Sequence, residues 1–143
     1  AAAIRELWEE TGLILGRLGP WSGAIGPDWQ DYSATGHVPD AAPLRFVFRA
    51  ITPPGRPRRF DARFFLADAS AVQGGLDDFS RASEEQSHLQ WVPIAEARAL
   101  NLPFITEVVL AEISALLRSG IKHPESVPFV DNSGPSSLFR RLA

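Results

Sequence analysis

Glu6 precedes Glu9 by three residues and Glu10 by four, so a helix through this segment gathers three carboxylates along one flank. Oxygen ligands on a rigid element suit a hard divalent cation, Mg2+ or Mn2+, which keeps part of its water shell and bridges to substrate phosphates. The plainer reading is a solvated acidic face on an amphipathic helix. Like charges at that spacing weaken an isolated helix by about 0.2–0.5 kcal/mol per pair, and Arg5 offsets part of this by pairing with Glu9 at i+4. Spacing leaves both readings open.

A second group of chemically capable residues is cationic. On a strand starting at Arg59, residues Arg59, Asp61 and Arg63 face one way and Phe60, Ala62 and Phe64 the other. With Arg58 beside them, these side chains form either a solvated ion row of little energetic weight or an arginine fork for a substrate phosphate. Trp21, Trp29 and Tyr32 lie in a Gly/Pro-rich stretch, residues 19–43, where they either stack on a ligand or pack beneath the loop. His37, His88 and His123 have no partners at metal-ligand spacing and read as surface or loop residues. Phosphate-loop, dinucleotide-binding and nucleophile-elbow motifs are absent from the sequence.

The elements that must position these groups follow from periodicity. Ile4, Leu7, Trp8 and Thr11 share one helical face over residues 1–11, and Gly12 stands where a left-handed residue stops a helix. Residues 13–18 read as extended, and alternation predicts strands at 44–52 and 59–67, joined by a Pro-Pro-Gly-Arg-Pro turn. The helix at the start is expected to pack on the sheet those strands form. Residues 68–87 read as polar and irregular, and 88–92 as a third strand ended by Pro93. Helices are expected at 94–100 and 106–118, the latter with Val109, Leu110, Ile113, Leu116 and Leu117 inward. Residues 121–143, with Pro124, Pro128 and Pro135, read as an irregular C-terminal tail.

Composition limits the function classes. The 143 residues are 45% hydrophobic and 22% charged, which fits one folded domain, residues 1–143. Fourteen basic against 17 acidic residues give a net charge of −3, so no affinity for nucleic acid is implied. The lack of cysteine excludes disulfides, thiol nucleophiles and cysteine-based zinc sites. No apolar run reaches the ~20 residues of a membrane span. Without a secretory or transit segment at its start, the chain is expected in the cytoplasm.

Arg5-Glu6-Leu7-Trp8-Glu9-Glu10-Thr11-Gly12-Leu13 resembles the second half of the Nudix box, Arg-Glu-aliphatic-x-Glu-Glu-x-Gly-aliphatic, at every fixed position. The first half would fall before Ala1, so the resemblance implies a domain whose N-terminal part is missing here. Residues 54–67, Trp91-Val92-Pro93 and Leu102-Pro103-Phe104-Ile105-Thr106 are similar to a bacterial Nudix branch akin to the peroxisomal coenzyme A diphosphatases. The likeness covers about residues 1–120.

The resemblance implies an α/β fold, a Nudix-type α/β/α sandwich with a mixed central sheet. It implies that Glu6, Glu9 and Glu10 ligate Mg2+ or Mn2+, that Arg5 orients them, and that Gly12 makes the turn. Glu85, with Glu84 beside it, is the candidate general base outside the box. Arg58, Arg59, Arg63 and Trp29 are the candidate substrate-binding residues. The implied activity is hydrolysis of a diphosphate linkage in a nucleoside-diphosphate-linked small molecule, coenzyme A or an acyl-CoA being favoured by the branch. The alternative is a non-catalytic Nudix-fold module that binds nucleotides or regulates. The expected partner is a nucleotide-like small molecule, with neither nucleic acid nor membrane involved, and the chain acting alone or as a homodimer.

Overall fold

The computed structural model describes residues 1–82, 88–97, 99–121 and 123–143, and its fold is mixed α/β. The chain divides into two compact units, one formed by residues 1–44 and 67–91, the other by residues 45–66 and 92–143.

The first unit is built on helix α1, Ala2–Thr11, and strand β1, Ile14–Leu18. Ile4 and Trp8, one helical turn apart, are buried, whereas Glu6, Glu9 and Glu10 stay exposed. Gly12 ends α1 with φ 73° and donates its N–H to Trp8 O at 2.8 Å, as its position in the sequence implies. Thr11 fastens the same corner: its hydroxyl donates to Leu7 O and accepts from the Leu13 N–H. The chain then reverses into β1, whose Ile14 and Leu15 meet Ile4, Trp8 and Tyr32 in one apolar cluster. The buried partners of α1 are thus β1 and Tyr32. From the two strands expected to take that role, only the flanking residues Leu44 and Ala67 reach this cluster.

Residues 19–43, expected as a loop, hold a 3-10 turn at Pro27–Trp29, helix α2 at Gln30–Ser33 and strand β2 at His37–Pro39. Pro27 presets the backbone for the turn, and the burial of Tyr32 fixes α2 in place. β2 and the two-residue strand β5, Val72–Gln73, flank β1 on either side, both antiparallel to it. Gly16 is obligatory in this sheet, because a Cβ there would lie 2.4 Å from Tyr32 Oη and 2.5 Å from Val38 O.

The second unit carries a four-stranded mixed sheet. Strand β3, Arg45–Ile51, pairs antiparallel with β4, Asp61–Leu66, and parallel with β6, Val127–Asp131. β7, Leu138–Leu142, closes the other edge antiparallel to β6. The parallel β3–β6 pair needs a crossover, which contains helix α4, Phe104–Ser119. Phe48, Ala50 and Val109 form the buried core between β3 and α4, with Phe64, Ile105, Val108 and Ile113 around them. Helix α3, Ile94–Ala97, is shorter than the expected 94–100.

Three sequence expectations are corrected here. Residues 121–143 are not an irregular tail, since they contain β6 and β7. Pro128 is tolerated because the ladder to β3 begins one residue later, at Phe129, while burial of Val127 and Phe129 holds the strand down. Residues 88–92 form no strand; Trp91 instead donates its indole N–H to Leu76 O at 3.0 Å. Leu117, expected inward, is 50% exposed in the last turn of α4, beyond the reach of the buried cluster. No helix among the described residues is long and apolar enough to cross a membrane.

Candidate functional site

The acidic side of α1 is open to solvent because its opposite side is committed to the core. Arg5 adds a polar link between this helix and the 3-10 turn. Its Nε lies 3.4 Å from Glu9 Oε1, and its Nη1 donates to Asp28 Oδ2 at 2.9 Å. The guanidinium therefore lies between Glu9, with which it forms an ion pair without a hydrogen bond, and the 3-10 turn at Pro27–Trp29. Sequence reading finds the Arg5–Glu9 pair from its i,i+4 spacing but misses Asp28, which lies 23 residues away.

Among the described residues no group of three His, Asp or Glu side chains is gathered tightly enough to cage a metal ion. The donor chemistry nevertheless fits a hard cation. Glu6, Glu9 and Glu10 offer only oxygen donors, the type a hard cation takes, and all three are exposed on one helix.

A cavity of about 250 Å3, with polar and apolar lining in equal part, opens beside the C-terminal end of α1. Gly12, Leu13, His37, Gln73, Asp78 and Arg81 are among the residues that line it. Gly12 is required there by space as well as by φ, because a Cβ would approach Arg81 Cβ to 2.9 Å. The Arg81 guanidinium rests over the Trp8 ring, 5.9 Å from its centroid. Asp78 is held below the ordinary carboxylate range, chiefly by the Ser80 hydroxyl and then by the Ser80 N–H, with Arg81 adding to the effect. No box glutamate lines this cavity.

The residues expected to bind substrate are placed as follows. Trp29 packs edge-on to Tyr32 at 5.4 Å and lies 5.6 Å from Trp21, so it serves as packing beneath the segment that carries it. Arg63 sits directly across from Arg49 on β3, and both share Asp61. The Arg49 fork, at 2.7 and 2.8 Å, holds the Asp61 carboxyl below its usual range. This is the solvated ion row, with Arg49 in the place expected for Arg59. Arg59 lies before β4 and donates to Thr52 O at 3.3 Å, and Arg58 is exposed beside it. A larger hollow of about 920 Å3 in the second unit is mostly apolar, lined by Phe60, Phe64, Phe104 and Phe139, with Arg56 rather than Arg58 at its wall. Glu84 and Glu85 lie outside the described residues.

His37, expected as a surface or loop residue, is half-buried in β2, and Arg81 is not singled out by the sequence. Neither stands in a motif, and only pairing of β2 with β1 brings His37 to the cavity. Comparison of the chain with models of known protein families, with curated proteins and with solved structures finds no match in any of the three.

Proposed function

We propose that the chain is part of a Nudix hydrolase that cleaves a diphosphate linkage in a nucleotide-like small molecule, using Mg2+ or Mn2+. The observation that carries this reading is the nine-residue half-box, whose three glutamates lie exposed on α1 while its Gly12 turns the chain into a buried strand. The mixed α/β fold, with α4 packed on a four-stranded mixed sheet in the second unit, supports the fold class that the reading requires.

In this scheme Glu6, Glu9 and Glu10 hold the cation. When bound, it neutralises the diphosphate and acidifies a coordinated water. Arg5 positions Glu9, and α1 keeps the three carboxylates on one rigid element. Hydrolysis adds the oxygen of water to one phosphorus and breaks its bond to the bridging oxygen, leaving a phosphate monoester on each product. Glu85 is the proposed acceptor of the water proton. Coenzyme A and acyl-CoA are the first substrates to try, on the strength of the branch resemblance.

The test is a screen of the full-length protein with Mg2+ and Mn2+ against coenzyme A derivatives, ADP-sugars, dinucleotides and nucleoside triphosphates. The expected result is metal-dependent formation of two phosphate-bearing products from at least one diphosphate. Metal and nucleotide binding without turnover would favour the non-catalytic module.

A further inference from the structure

The cavity beside Gly12 contains two side chains whose hydrogen-bonding capacity is directed by its surroundings. Thr35 donates its hydroxyl proton to Tyr32 O at 2.7 Å, so its Oγ1 faces His37 Nδ1, 3.1 Å away, as an acceptor. The Thr35 carbonyl, 3.0 Å from the same nitrogen, also only accepts. Both neighbours of Nδ1 being acceptors, the tautomer that fits is Nδ1–H, with Nε2 as the acceptor. Arg81 is engaged by the Trp8 face and by the charge of Asp78, and among the described residues its N–H groups make no hydrogen bond. A stacked guanidinium whose donors have no hydrogen-bond partner among the described residues suits a planar pair of phosphate oxygens.

Size and charge narrow the ligand. About 250 Å3 is below the roughly 300–1,000 Å3 of pockets that enclose a whole drug-sized molecule, so the cavity takes a fragment. An Arg fork suits a phosphate, and the Nε2 acceptor of that tautomer suits a hydroxyl donor. Asp78 adds a negative charge to the same wall, but its Oδ1 is occupied by the Ser80 N–H and hydroxyl.

We propose that this cavity is a sugar-phosphate subsite, in which Arg81 binds the phosphate and His37 Nε2 accepts a hydrogen bond from a sugar hydroxyl. The inference rests on the hydrolase reading for its place in a reaction, since it puts one phosphate of the substrate next to the end of the box helix. Binding of the fragment itself does not require turnover.

The experiment is calorimetric titration of the full-length protein with ribose 5-phosphate in EDTA, with ribose and phenyl phosphate as controls. Ribose 5-phosphate is expected to bind more tightly than either control. Arg81→Gln should weaken it by about tenfold or more. Asp78→Asn, which still accepts from Ser80 but removes a like charge, should tighten it by roughly two- to fivefold. His37→Asn keeps a donor toward Thr35 but lacks Nε2, and should erase the preference over phenyl phosphate. A merely structural role for these residues gives no reason for one variant to tighten binding while its neighbour weakens it. No binding of ribose 5-phosphate, or binding that neither charge variant changes, overturns the proposal. Should binding follow this pattern in a protein that cleaves no diphosphate, the subsite stands and the hydrolase reading falls. Should diphosphate cleavage occur with KM unaltered by Arg81→Gln, the subsite falls and the hydrolase reading stands.

Discussion

Glu9 has two relationships that a single substitution separates. It is paired with Arg5 at 3.4 Å on a solvent-exposed face, and it is a proposed metal ligand. Exposed pairs of this kind contribute ~0–1 kcal/mol, and relief of repulsion along the acidic face opposes even that loss. Glu9→Gln is therefore expected to leave the melting temperature nearly unchanged. Turnover on a diphosphate substrate should fall by roughly 100-fold or more, because charge stabilisation is lost where it develops in the transition state. Retention of wild-type turnover at saturating Mg2+ would remove Glu9 from the mechanism. Tyr32 gives a different residue-level test, being the chain's single tyrosine. Burial, and secondarily the negative charge of Asp40, push its phenol up to about 12. The unfolded chain titrates near the ordinary value of about 10. The folded state thus holds the proton more tightly, so this contribution to stability is complete below pH 10 and is lost as pH rises toward 12. Phenolate absorbance should titrate near 12 in the native protein and about two units lower in denaturant. A native midpoint near 10 would show that the ring is not buried.

Among the elements, α1 and its corner bear the largest local constraint. Gly12→Ala meets both a φ of 73° and an Arg81 Cβ at 2.9 Å, so it should destabilise by roughly 1–3 kcal/mol, readable as a lower urea midpoint. An unchanged midpoint would mean that the corner adopts another backbone. On the helix itself, Leu7 is only partly buried while Ile4 is 1% exposed, so the anchoring residue is Ile4. Ile4→Ala should cost ~2–5 kcal/mol and Leu7→Ala clearly less. Equal losses in thermal melts would contradict the burial order. The same helix illustrates how legible such an element is. Its periodicity, its exposed acidic side, its Arg5–Glu9 pair and its glycine stop all follow from neighbours within four residues.

At the scale of the molecule, each compact unit has its own buried cluster. Phe48, at 0% exposure, occupies the centre of the second one, against Val109 on α4. Phe48→Ala should cost about 3–5 kcal/mol, measured by denaturant unfolding, and a loss under 1 kcal/mol would show that this core is not formed as described. The sequence by itself determined α1, the alternating strands β3 and β4, and most of α4, because each depends on a repeat carried in one short segment. It also determined that three glutamates share an exposed helical face. The extended segment that becomes β1 and the start of α3 were legible as well, and tertiary structure decided the other strands and every pairing. β2 and β5 are too short to carry a period and exist only as partners of β1. β6 and β7 are written in a proline-bearing stretch that reads as a tail until β3 supplies a ladder. The cavity holding His37 and Arg81 joins residues 44 positions apart, with Gly12 between neither of them in sequence. Local periodicity reports which face of a segment is apolar, whereas pairing partners and cavities are set by which distant segments come to lie against that face.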